Sequence, residues 1–230
     1  MKLDFAVLLR PEFLAQILHG LALTLELTLL CWVLAHLLGT LLVLIRMTNN
    51  RWANAAVGAY VEYHRNVPML VHMFMWYFGI PMLLHDWMQQ WANAHHAEFV
   101  FAFLAVGLTM AAYVCEDLRS GIRAIPHGQF EAARALGLGY LRASWKVILP
   151  QGARNALPPL INHSVVLLKN TSLAMTIGVA ELTYATREIE NHTYRTFETY
   201  LVSTLIYLAL SLIIMAAGAG LERRLRVGVR

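Results

Sequence analysis

The groups able to do chemistry are few, and they stand in apolar company. Lys169 lies in an apolar run from Leu157 to Ala180 and is followed at once by Asn170, Thr171 and Ser172. An ionisable side chain within hydrocarbon is costly unless it faces protein or water, so each one marks a path, a relay or an internal pair. On a helix Lys169 stands roughly 18 Å beyond Leu157, near the middle of a bilayer. It either lines or gates a path or forms a structural ion pair with Glu116 or Asp117. His163, about two turns before it, either borders the same path or is a hydrogen-bonded histidine between packed helices. Arg65, followed by Asn66 at the end of another apolar run, either attracts an anion or anchors the chain at the membrane interface. Glu26, between Thr24 and Thr28, reads as a packed or snorkelling side chain.

Reactive constellations do not emerge. Cys31 and Cys115 each sit inside an apolar stretch, with neither a disulfide framework nor metal-ligand spacing. His95 and His96 are adjacent, so on a helix they point apart, and no further ligand set accompanies them. No nucleophile elbow, zinc motif or Gly-rich phosphate loop is present in the sequence. These absences argue against an enzyme and against nucleotide hydrolysis by this chain.

The elements that must position these residues follow from composition. Of 230 residues, 58% are hydrophobic and 14% charged, which leaves more apolar surface than a soluble globule can bury. The apolar residues are grouped in stretches close to the ~20 residues that a spanning helix needs. An all-α integral membrane protein follows, one domain over residues 1–230, with five spans at about 21–45, 68–84, 99–115, 157–180 and 200–221. The first run is too long for a signal-peptide core and is kept as a helix. Thirteen Lys and Arg fall in the first loop, the third loop and the C-terminus, against four at the N-terminus and in the fourth loop. Short cytoplasmic loops carry the excess of basic residues, so the N-terminus is outside and the C-terminus cytoplasmic. The same distribution, at apolar stretch ends rather than along one basic and aromatic face, argues against nucleic-acid binding at a net charge of +4.

Two connections carry helical spacing. Trp52, Ala56, Ala59, Tyr60 and Tyr63 predict a short interfacial helix over 51–64. The second loop, with Trp87 and Trp91 and no basic residue, reads as an outer aromatic belt. The third loop, 119–155, is long, basic and patterned. Pro126 opens a helix, Gln129 to Leu136 continues it, and Gly137 is placed to end it with a left-handed residue. A second short helix, Tyr140 to Ile148, is expected to stop at Pro150. Helix, glycine turn and helix form a cytoplasmic knob suited to another protein's groove.

In that loop Glu131-Ala132-Ala133, then Gly137, then Val147-Ile148-Leu149-Pro150 resembles the EAA loop of ATP-binding-cassette importer permeases, with Val147 in an isoleucine position. Tyr60-Val61-Glu62, Arg65-Asn66-Val67-Pro68, Trp76-Tyr77, Ala112-Tyr113 with Glu116 and Arg119, Leu157-Pro158-Pro159 and Leu168-Lys169-Asn170-Thr171-Ser172 extend the likeness to polar amino acid permeases. The Arg-Asn-Val-Pro and Lys-Asn-Thr-Ser forms look most like permeases for glutamate and aspartate.

The resemblance implies a bacterial inner-membrane subunit whose knob, at Glu131, Ala132, Ala133 and Gly137, couples to a separate cytoplasmic ATPase. It further implies a second permease subunit, identical or related, an external substrate-binding protein, and no cofactor bound by this chain, ATP being used by the ATPase. Arg65, Asn66, Glu116, His163, Lys169, Asn170, Thr171 and Ser172 are then the substrate-path candidates. Where relatives carry a carboxylate near His163, the histidine lowers the negative potential and favours an anionic substrate.

Overall fold

The computed structural model describes residues 3–48 and 50–225; Lys2, Arg226 and Arg230, which enter the charge count above, lie outside them. Ten α-helices follow in order: α1 (Pro11–Arg46), α2 (Arg51–Asn66), α3 (Met69–Phe74), α4 (Asp86–Ala94), α5 (Ala97–Arg123), α6 (His127–Ala135), α7 (Tyr140–Ala143), α8 (Leu149–Thr171), α9 (Leu182–Thr193) and α10 (Thr196–Leu225). Three of them, α1, α5 and α10, are long and apolar enough to cross a membrane, and the bent pair from Ser144 to Thr193, turning by 51°, makes up to four. The segment expected as the second span is an irregular run instead. α3 passes through a π turn, Met75–Gly79, into a 3-10 turn, Ile80–Leu83. At ~1.5 Å per residue it reaches only about 22 Å, short of the hydrocarbon thickness.

α1, α5 and α10 overrun the expected spans at both ends, whereas α8 begins eight residues before its expected span and ends nine residues short of it. Apolarity marks only the part of a helix that suits hydrocarbon, whereas the backbone ladder continues into polar flanks until a cap stops it. α2 starts where Asn50 accepts hydrogen bonds from the Trp52 and Ala53 amides. α9, in a stretch read from sequence only as a connection, starts at Glu181, which accepts from the Thr183 and Tyr184 amides.

α1 and α5 form the centre. The buried positions of α1 include Gly20, Thr24, Cys31, Ala35 and Gly39, small residues at helical spacing that let neighbouring backbones approach. At Gly39 a methyl group would stand 2.7 Å from the Val114 side chain. α5 answers with its own small buried residues, Ala102, Ala105, Gly107, Ala111 and Ala112. α8 packs closely against α5 where the C-terminal end of α5 meets the N-terminal end of α8. A methyl group at Gly121 would overlap the Gly152 carbonyl and lie 2.8 Å from the Ala156 amide nitrogen.

At the other end α8 tightens into a 3-10 turn, Ser172–Ile177, which Gly178 closes with a φ of +95°. The chain bends there into α9, and the bend is tied to α10 and to α1. The fully buried Glu181 accepts from the Tyr207 hydroxyl of α10, and Thr24 of α1 accepts from the Leu182 amide. A buried carboxylate with this many donors is satisfied, not free. Most of α10 is exposed, its buried positions being Glu198, Thr199 and Ser203 near its start.

Candidate functional site

The basic loop between α5 and α8 is built on their close contact. Pro126 caps α6, and α6 ends where Gly137 takes a φ of +81°, a conformation glycine adopts without the Cβ clash of other residues. There the Gly137 amide donates to the Arg134 carbonyl and the Leu138 amide to the Ala133 carbonyl, satisfying the last turn. Glu131, Ala132 and Gly137 are exposed; Ala133 is buried. The rings of Phe130 and Tyr140, 5.4 Å apart and edge to face, hold α6 against α7.

The second helix of the loop does not stop at Pro150. α7 continues through a π turn, Ser144–Ile148, directly into α8, with Pro150 in the first turn of α8. A proline inside a helix removes one amide donor and crowds the preceding turn. The wide π turn sits where that disruption falls, and the Gln151 side chain donates to the Val147 carbonyl at 2.9 Å.

The charges expected along a path separate into two groups. Glu116 is engaged inside the chain, by Arg46 of α1 and by Arg119 one turn away at 3.1 Å. Asp117, nearly buried, accepts from the His163 imidazole Nδ1 at 2.5 Å, which joins α5 to α8. Neither carboxylate pairs with Lys169, so the ion pair considered from sequence is not formed. His163 also packs on the Tyr113 ring at 4.9 Å, and the Arg65 guanidinium stands over the same ring at 5.5 Å. An array therefore runs from Arg65 through Tyr113 and His163 to Asp117, cation at one end and carboxylate at the other. The Tyr113 and Asp117 positions in it meet His163 across 50 and 46 residues, contacts that spacing along the chain does not reveal.

Arg65 and Asn66 are exposed, the Asn66 amide donating to Glu62. Within the polar break the four residues diverge. Thr171 is buried and donates to the Leu168 carbonyl, Ser172 donates to the Lys169 carbonyl, and the Asn170 amide lies 3.9 Å from the Met110 sulfur. Lys169 alone of the four is exposed, and it has no ion-pair partner among the described residues. It is one of a series on α8: Asn155, Asn162 and Lys169 recur every seven residues and all are exposed. Seven residues are close to two helical turns, so these side chains share one face. Sequence reasoning isolated Lys169 and missed the two asparagines, although their regular spacing was there to be read.

Residues 35–227 match the family described as "Binding-protein-dependent transport system inner membrane component". The glutamate/aspartate import permease protein GltJ of Escherichia coli (strain K12) is 32% identical over 94% of this chain and 89% of its own length. The arginine transport system permease protein ArtQ of Bacillus subtilis (strain 168) is 33% identical over 98% and 99% respectively. A solved structure described as an amino acid ABC transporter with histidines superposes with a TM-score of 0.85 at 31% identity, covering 97% of this chain and all of that one. The family match spans most of the chain, and these relatives agree on cargo class: the protein belongs to the inner-membrane components of binding-protein-dependent transport systems, as an amino acid ABC importer permease subunit.

Proposed function

We propose that the chain is a five-span permease for acidic amino acids, glutamate and aspartate, forming one domain with its N-terminus outside and its C-terminus cytoplasmic. The observation that carries the substrate class is Lys169, the single formal charge on an exposed polar face of α8 and one with no partner in its own chain among the described residues. In a membrane such a face needs protein or water against it. A second permease subunit supplies the other wall, and the path runs between them. Lys169 and Arg65 attract the two carboxylates of the substrate. The Asp117 carboxylate, held by His163, offers an acceptor for its ammonium. Asn66, Asn170, Thr171 and Ser172 shape the path beside these charges; Glu116, bound by two arginines, is structural.

The loop from His127 to Ile148 couples this path to ATP. Exposed Glu131 and Ala132, with Ala133 packed behind them and Gly137 making the turn, fit a cleft in a cytoplasmic ATPase subunit; the chain itself binds no cofactor. ATP binding draws the two ATPases together and carries both loops with them, so α5 and α8 tilt about their glycine contact and the path opens outward. Differential contact of the loop with the two ATPase states is what transfers the energy. An external binding protein then delivers substrate.

The test is purification from the native membrane in mild detergent, then reconstitution in liposomes with labelled glutamate. An ATPase should co-purify, be lost when Glu131 and Gly137 are altered, and drive glutamate uptake that excess aspartate suppresses and excess arginine does not. Suppression by arginine would move the substrate to the cationic class named for ArtQ. Uptake by the chain alone without ATP would replace the importer reading with an ion-coupled one.

A further inference from the structure

A polar cleft of about 460 Å³ lies at the opposite end of α1 from the basic loop. His19 and Glu26 of α1 face it together with His95, His96 and Glu98 from the junction of α4 and α5. Glu26 is some 20 residues before Arg46, or about 30 Å along α1, the thickness of a bilayer core. Its lining holds two carboxylates, three imidazoles and, among the described residues, no lysine or arginine. Among the described residues, the one ion pair within it is His96 with Glu98 at 3.5 Å. No three His, Cys, Asp or Glu side chains among the described residues are grouped to hold a metal ion. The complement of this lining is an organic cation.

Two features of the surroundings point to a protein as its source. Leu23 and Phe99 give the cleft apolar walls, which suit the methylene stem of a long basic side chain. Exposed aromatic groups continue along α4 from the cleft: His95 stacks on Trp91 at 4.6 Å, and Trp87, one turn before Trp91, is exposed as well. Aromatic anchors around a charged recess make a docking surface of the kind that buries a few strong contacts. The floor of the cleft, residues 178–180, is the break between α8 and α9. A side chain seated there touches the bend at the end of the Lys169 helix.

We infer that this cleft receives a lysine or arginine side chain of the external substrate-binding protein, and that Glu26 and Glu98 hold it. The inference rests on the importer reading and on its orientation, since a binding protein reaches only the outer face. Docking at the floor reports the arrival of loaded binding protein to the helix that lines the path.

The experiment uses the complete transporter in liposomes, its ATP hydrolysis measured against concentration of its own binding protein, for the unaltered complex and for Glu26→Gln with Glu98→Gln. Both residues are surface side chains replaced by isosteres, and equal ATP hydrolysis without binding protein confirms an intact complex. The half-stimulating concentration should rise about tenfold in the double variant, with the saturating rate retained. Potassium chloride should weaken stimulation of the unaltered complex more steeply than that of the variant, because the lost contact is ionic. An unchanged half-stimulating concentration overturns the inference alone, as does a lowered saturating rate at unchanged half-stimulation, which would mean movement rather than docking. Failure of binding protein to stimulate the unaltered complex overturns the importer reading and this inference with it.

Discussion

Glu116 and Lys169 are both charges set into apolar helices, yet the chain treats them oppositely. Glu116 is answered by two arginines of its own chain, Arg46 on α1 and Arg119 on α5. Lys169 is left exposed on α8 with Asn155 and Asn162 along the same face. A charge satisfied internally stabilises the fold, and removing its partner leaves a desolvated charge behind. A charge left open contributes nothing to the fold of the isolated chain, and its use must lie outside it. The two sites lie on helices, α5 and α8, that touch at Gly121 and Gly152, so the contrast is not one of distant regions.

Four substitutions separate the two kinds of position, ordered by their effect on the folded chain. Gly121→Leu forces α5 and α8 apart where backbone already meets backbone, and should cost several kcal/mol, removing folded protein from the membrane fraction. Glu116→Gln leaves Arg46 and Arg119 without a carboxylate; we expect a loss of about 2 kcal/mol, read as a lower melting temperature in detergent, with uptake per folded molecule retained. Gly137→Asp puts a Cβ on a left-handed residue with open space around it, at a cost of about 1 kcal/mol. The variant should insert normally and bind substrate, while ATP-driven uptake falls away. Lys169→Met should leave the melting temperature unchanged to within about 0.5 kcal/mol of stability, since no internal contact is lost.

The sequence was informative wherever a single helix held the signal. The loop helix His127–Ala135 and the left-handed Gly137 follow from proline and glycine placement, and the polar break at Lys169 stands out against its apolar run. The packed face of α1 is also visible in retrospect. In a helix apolar all round, hydrophobicity cannot mark the inside, but Gly20, Thr24, Cys31, Ala35 and Gly39 do, because small side chains admit close neighbours. What escaped were features that need two elements at once. Asp117 meets His163 only because α5 and α8 cross. Glu181 looks like an exposed connection residue, yet it is a fully buried cap shared by α9 and α10. Pro150 looks like a stop because proline usually is one, and the π turn before it lets the helix pass.

The central claim is that the answered charge serves the fold and the open one serves transport. Its most direct test measures thermal unfolding and ATP-driven glutamate uptake side by side for Glu116→Gln and Lys169→Met, with Lys169→Arg as the charge-retaining control. The account predicts a crossing: Lys169→Met keeps its melting temperature and loses at least about tenfold in uptake, Lys169→Arg restores much of it, and Glu116→Gln melts earlier but transports. Wild-type uptake by Lys169→Met would contradict the account, because the one open charge on the α8 face would then have no part in moving the substrate.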